Sequence, residues 1–247
     1  MFLTFKIYIF SHQYRTTLTK KYYTQFARIY VAVDCIIFGF LDNQLKILLL
    51  TRDIEPGKGQ SSLIGGFVRN DESLDAAAAR ILYDLTGLEN VFLEQLYAYG
   101  EVDRDPGERV ISVSYYALLK VQDLDHDHVE KHGARWCDVV ECGQLIFDHN
   151  EMVIMALSRL RSRAKSQPIG FELLPRNFTI PQLQMLYEAI YQKRLDNRNF
   201  RKKLLSMDVL EKLDTKDKSS SKKGAYLYRF DKKRYNKLLQ DGFLFDL

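Results

Sequence analysis

Cysteine is scarce: Cys35, Cys137 and Cys142 are the only three in 247 residues, and no two form a CxxC pair. That spacing suggests neither a disulfide framework nor a zinc site, and a reducing cytoplasm is the expectation. Apolar runs of membrane-spanning length are also missing. The apolar-aromatic opening, MFLTFKIYIF, is too short to cross a bilayer and lacks the basic flank and small-residue cleavage site of a secretory signal. Residues 1–25 read as a flexible N-terminal extension to which no function is assigned, and no membrane partner is expected. The balance of charge is uneven. From Pro168 onward there are 17 Lys and Arg against 10 Asp and Glu, a surplus of +7, which leaves 19 against 22, or −3, for residues 1–167. A near-neutral front and a basic back predict a ligand-binding half followed by a nucleic-acid-binding half, although a merely soluble basic domain would carry the same charge.

The front half begins with two strands rich in Val, Ile and Leu that meet at Leu41-Asp42-Asn43. Asp34 interrupts the first of them on the face of Ile36 and Phe38, where a carboxylate needs a partner in the fold or in a ligand. Paired glycines at 65 and 66 let the backbone approach a ligand. Ser73 then opens SLDAAAARILYDL, whose run of alanines strongly favours helix. Within Gly66–Leu88, the positions Gly66, Glu72, Arg80, Leu82, Gly87 and Leu88 fit G-x5-E-x7-R-E-U-x-E-E-x-G-U, U being apolar. The stretch therefore resembles the Nudix box, in which the acids after the Arg gather divalent cations. Here Ile81 and Leu85 replace two of those acids one helical turn apart, and only Asp84 remains. Magnesium prefers near-octahedral oxygen coordination, so no metal site, no catalytic residue, no cofactor and no enzymatic activity are predicted. An ordinary capped helix with an Arg80–Asp84 surface pair is the bland reading.

Farther on, DRDPGER is a dense turn. VISVSYYALLKV alternates as a strand with Ser112, Ser114 and Tyr116 on one face, suited either to a polyol ligand or to solvent. The candidate effector contacts are Asp34, Glu101, Asp103, Arg109 and Ser114, and Arg52 or Arg109 could also hold a pyrophosphate. His126, His128 and His132 read as solvated loop residues rather than metal ligands. The following helix is expected to bury Ile154, Leu157 and Leu160.

Residues 164–170, AKSQPIG, read as the boundary between domains 26–164 and 165–247. Beyond it, Thr179 with Gln182 forms a capping box and Pro181 sits in the first turn. Ile180, Leu183, Tyr187 and Ile190 give that helix a buried stripe. Asp196 caps a second helix, on which Phe200, Leu204 and Met207 point inward while Arg198, Asn199 and Lys202 lie opposite, flanked by Arg201 and Lys203. Arg and Asn are the side chains that read guanine and adenine in the major groove, and flanking cations suit phosphates. Two further strands around TKDKSSSKKG would form a wing carrying Lys216, Lys218, Lys222 and Lys223.

Together, GGFVRNDESLDAAAAR, DRDPGERVISVSYYALL, FTIPQLQMLYEAIY and LDNRNFRKKLL resemble the Nudix-related transcriptional regulators. That resemblance implies an α+β chain, a Nudix-like α/β/α sandwich with a mixed sheet followed by a C-terminal winged helix. It also implies a homodimer on palindromic double-stranded DNA, repressing until a small effector binds. The chain is most similar to the arabinose-responsive branch, which implies L-arabinose as effector and control of sugar catabolism. An ADP-ribose-responsive regulator of NAD metabolism, a residual Nudix ADP-ribose pyrophosphatase, and an RNA-binding or scaffolding module are the alternatives.

Overall fold

The computed structural model describes residues 23–89, 91–121, 124, 126–218 and 223–247; most of the expected N-terminal extension falls outside them. The first half is built on β1 (Tyr30–Leu41), nearly every residue of which is buried from Ala32 onward. It turns into β2 (Gln44–Thr51) through Asp42 and Asn43, whose φ angles of 52° and 60° give the tight turn that matches strand twist. Next in the chain come β3 (Ser61–Ser62), β4 (Ile64–Phe67), the helix α1 (Leu74–Thr86) and β5 (Glu94–Tyr99). They are followed by β6 (Val110–Leu119), α2 (His126–Lys131), β7 (Ala134–Asp138) and α3 (His149–Ser166). The sheet runs β3-β2-β1-β6-β5, with β4 also paired to β1 and β7 to β2. It is mixed, because β1 and β6 are parallel while the other pairs are antiparallel.

A parallel central pair requires cover on both faces. On one side Val33, Cys35 and Ile37 pack against Ala77, Ala78, Ile81 and Leu82 of α1; on the other Ile36, Phe38 and Phe40 share a core with Met152, Val153 and Ala156 of α3. This corrects the solvent-face alternative for β6, since Ser112 and Ser114 are fully buried. Helix α3 buries Leu160 and packs Leu157 against the core as expected, but differs at Ile154. Met152, Val153, Ala156, Leu160 and Ala164 form its buried stripe, and Ile154, one residue beyond Val153 and so about 100° around the helix, is exposed. The expected histidine loop is the short helix α2, drawn in by Val129, which is buried in the α1-side core.

The second half is a winged helix. A single 3-10 turn (Ile169–Glu172) leads to β8 (Phe178–Thr179), α4 (Ile180–Tyr191) and α5 (Asn197–Ser206). The wing strands are β9 (Leu210–Asp217) and β10 (Ala225–Phe230), in the order β8-β10-β9, and α6 (Lys232–Gln240) follows. The capping box is present in full, with Gln182 N–H donating to Thr179 Oγ1 and Thr179 N–H to Gln182 Oε1. No slack segment separates the halves: α3 runs to Ser166, Ala164 and Ile169 are buried, and one hydrophobic core continues from Ile47 of β2 through Leu160 to Leu186 and Leu204. Arg161 of α3 clamps the end of α4, donating from Nε to Ile190 O (2.9 Å) and from Nη2 to Gln192 Oε1 (2.7 Å).

Candidate functional site

A cavity of about 540 Å³ opens between β1, β4, α1 and the start of α3, within the range of ordinary small-molecule sites. One wall is the box helix. Ser73 caps it by accepting from Ala76 N–H, and Gly87 ends it in the left-handed conformation at φ 69°, as the αL cap requires. Arg80 is more than half of a surface pair. It grips Glu72 with both Nε (2.9 Å) and Nη2 (2.6 Å), reaches Phe67 O at 3.3 Å, and stands 3.8 Å from Asp84. The Arg80 bonds, with Arg69 N–H, hold the Glu72 carboxyl down at about 2. Ile81 and Leu85 line the cavity as hydrocarbon and extend into the core. Hydrocarbon therefore stands at two of the positions where a divalent cation would need oxygen, leaving Asp84, and among the described residues no three His, Cys, Asp or Glu side chains are grouped to hold a metal. These residues do not fit magnesium.

The cavity floor is polar and buried. Asp34 Oδ2 accepts from Ser112 Oγ at 2.5 Å. Arg104, whose side chain is 3% exposed, donates from Nε (2.8 Å) and Nη2 (2.6 Å) to Asp148 and lies 3.9 Å from Asp34 Oδ2. The Leu63 N–H donates to His149 Nδ1 at 3.1 Å, which places the remaining ring proton on Nε2, 3.6 Å from Asp34 Oδ1. Burial pushes the His149 pKa below its ordinary value, so the ring is neutral near pH 7. At the mouth, Phe147 adopts φ 50° and lies under the Arg52 guanidinium at 5.5 Å, while Arg52 Nε donates to Pro56 O at 2.7 Å.

Of the expected effector contacts, the structure brings only Asp34 to this cavity, with Arg52 from the pyrophosphate reading. Glu101 and Asp103 are exposed outside it, and Arg109 donates to Glu101 O at 3.0 Å, bracing its own loop. Ser114 donates to Tyr97 O at 3.1 Å and so ties β6 to β5 within the sheet. The loop before β6 instead turns Arg104 and Asp105 inward. Arg104 lies inside DRDPGER, where its charge was visible but its direction was not. His149 is placed by the helix start at 148–149, a signal available in the sequence as an Asp-His pair opening a helix.

On the winged half, Arg198, Asn199, Arg201, Lys202 and Lys203 are all exposed on α5, while Phe200, Leu204 and Met207 are buried beneath them. Lys203 pairs with Asp246 at 3.0 Å, which turns it toward the C-terminal tail. Gln184, buried on α4 and not foreseen, sets the turn between the helices: its amide donates to Leu195 O (3.1 Å) and to Asn197 Oδ1 (2.5 Å). In the wing, Lys212 and Lys216 sit over the Tyr226 ring at 3.8 and 4.4 Å. Lys218 and Lys223 are exposed, and Lys222 lies outside the described residues.

An α/β/α sandwich with a degenerate box helix and a ligand-sized cavity, fused through a shared core to a cationic winged helix, defines a class: Nudix-fold proteins equipped to bind DNA. Comparison with known proteins gives the family. The NUDIX domain model matches residues 30–154 and the model of the NrtR DNA-binding winged helix domain matches residues 170–230. The chain is 32% identical over 210 residues to the ADPR responsive transcriptional repressor NtrR of Acinetobacter baylyi, covering 83% of this chain and 84% of that one. It is 30% identical over 149 residues to the ADP-ribose pyrophosphatase of Methanocaldococcus jannaschii, covering 60% and 88%. The crystal structure of Shewanella oneidensis NrtR complexed with a 27mer DNA superposes with a TM-score of 0.72 at 29% identity, covering 81% of this chain and 93% of that chain. The chain belongs to the Nudix-domain family, in the group that carries the NrtR-type DNA-binding winged helix.

Proposed function

We propose that this protein is a transcriptional repressor that holds operator DNA through its winged helix and releases it when ADP-ribose fills the Nudix-like cavity. The observation that carries this reading is the conversion of the box: Ile81 and Leu85 turn a would-be metal site into hydrocarbon wall, in a chain whose α5 exposes Arg198, Asn199, Arg201 and Lys202 over a packed core. Such a pocket can hold a nucleotide without consuming it. Support for ADP-ribose comes from the names of the Acinetobacter and Methanocaldococcus relatives, and support for duplex DNA from the Shewanella complex. None of these relatives is named for arabinose, and the arabinose expectation gives way to its alternative, control of NAD metabolism.

In this reading residues 26–164 bind the effector and 165–247 bind DNA, with Arg198 and Asn199 on base edges and Arg201, Lys202 and Lys223 on phosphates. The working unit is a homodimer on a palindrome, because two symmetric recognition helices match two half-sites. No helix among the described residues is long and apolar enough to cross a membrane, and the protein works in the cytoplasm beside its DNA. A mobility-shift titration on duplexes selected by the protein from a random pool tests the reading: ADP-ribose at saturating concentration should dissolve the complex. The second reading, residual pyrophosphatase activity, is favoured by the retained Arg80–Glu72 grip. Magnesium-dependent turnover of ADP-ribose that disappears in Asp84→Ala would establish it.

A further inference from the structure

We propose that the groove beside helix α5 is a seat for one phosphate of the operator backbone, and that Asp246 of the C-terminal segment occupies Lys203 there until DNA displaces it. The inference rests on the DNA-binding reading and adds to it a contact and a built-in competitor for that contact. Its root is a sequence pattern. Phe243-Leu244-Phe245-Asp246-Leu247 alternates its side chains inward and outward, as an extended segment does. Phe245 is buried and Phe243 and Leu247 pack against the same core, whereas Leu244 is 85% exposed. Tyr235 of α6 lies edge-on to both Phe243 and Phe245 at 6.5 Å, and the Leu247 N–H donates to Lys165 O at 3.3 Å. The segment is thus anchored between α6 and the end of α3. Asp246 is left facing outward, where its Oδ2 meets Lys203 Nζ at 3.0 Å.

Charge marks the groove as an anion site. It has a volume of about 360 Å³, and Lys165 from α3, Lys193 from the turn after α4 and Lys203 from α5 all line it. Among the described residues, neither Lys165 nor Lys193 has a carboxylate within ion-pair distance. The other lining acid, Asp196, is already engaged as the cap of α5, accepting from Asn199 N–H at 2.8 Å. Asp246 is therefore the carboxylate set against three ammoniums, where a phosphate oxygen would serve equally. Position is the second mark. Asn199 and Lys203, one helical turn apart, line the groove, so it lies about 100° around α5 from Arg198 and Lys202. A backbone that follows a recognition helix passes the turn before it. The hold is also weak enough to be exchanged. The paired side chains are 48% and 77% exposed, and such a pair contributes little, so a phosphate can replace the carboxylate while the apolar anchors stay in place.

Binding of the full chain to duplexes it selects from a random pool, measured over a series of salt concentrations, tests this with Asp246→Asn, Lys203→Ala and the double variant. Asp246→Asn should tighten binding ~2–5-fold at fixed salt, the scale of an exposed ion pair. Lys203→Ala should flatten the slope of log K against log salt by about 0.9, the loss of one phosphate contact. The gain from Asp246→Asn should vanish in the Lys203→Ala background. Both side chains are exposed, so the variants should unfold at the wild-type midpoint. Binding left unchanged or weakened by Asp246→Asn would overturn the proposal. An unchanged salt slope in Lys203→Ala would do the same, as would a gain that persists without Lys203, because Asp246 would then act by general repulsion. Each of these results leaves the DNA-binding reading in place. Failure of the wild type to select any duplex would sink that reading and the phosphate seat with it.

Discussion

His149 shows how much a single side chain settles in this molecule. It begins α3, accepts the Leu63 N–H that joins the helix start to β4's approach, and faces Asp34 across the cavity floor. Burial lowers its pKa, so on acidification the unfolded chain takes up a proton near 6.5 before the folded protein does. The stability contributed by the neutral ring is present above about pH 6.5 and declines as the pH falls below it. Urea unfolding of wild type and His149→Gln between pH 8 and 5 should show a steeper loss in the wild type; parallel curves would mean the ring titrates freely. Glu72 behaves in the same sense at lower pH. Arg80 holds its carboxyl at about 2, so its contribution persists above about 4.5 and is lost between there and 2. These residues were unevenly legible in the sequence. Glu72 and Arg80 announced themselves through the box spacing. Arg104 and His149 did not, because a site assembled from positions 34, 104 and 149 has no local pattern, and the hydroxyl-rich face of β6 that looked inviting is spent inside the sheet.

At the scale of elements, α5 was the most legible: its cap at Asp196, its inward Phe200 and Leu204 and its outward cations follow from helical period alone. Phe200→Ala should cost about 3–5 kcal/mol by truncation in a packed core, read as a lower denaturation midpoint, and the recognition face should lose order with it. Arg198→Ala should leave stability unchanged and cost about 1–3 kcal/mol of specific binding while relaxing preference at one base position; intact specificity would move recognition elsewhere. Helix α3 was legible as a helix but not as a connector. Its first residue stands at the cavity floor, and its Arg161 clamps Ile190 O and Gln192 at the end of α4, just before the turn into α5. The small-residue segment that reads as a domain boundary forms its last turn and a 3-10 turn, with Ala164 and Ile169 in the shared core. Arg161→Ala should therefore leave ADP-ribose affinity and DNA affinity each within a few-fold of wild type while shrinking the factor by which one alters the other. Titrations of each ligand with and without the second measure that factor, and an undiminished factor would remove α3 from the coupling.

Across the whole molecule, the charge asymmetry read from composition corresponds to two joined halves, a cavity lined by charges of both signs in front and a cationic face behind. The effector can displace DNA only to the extent that it prefers the arrangement in which the winged helices do not fit their half-sites. A continuous core from β2 through α3 to α4 and α5 is a physical medium for such a preference, because packed interiors change by discrete rearrangement rather than by smooth deformation. Binding should weaken steeply with salt, since Arg201, Lys202 and the wing lysines displace counterions from phosphates. The most direct test of the central claim is fluorescence anisotropy of a duplex selected by the full-length protein, titrated at fixed salt with ADP-ribose and, separately, with L-arabinose. ADP-ribose should raise the DNA Kd by ~10-fold or more, matching a coupling of about 1–3 kcal/mol, with no effect of arabinose. An unchanged Kd in saturating ADP-ribose, or release by arabinose instead, would contradict the account.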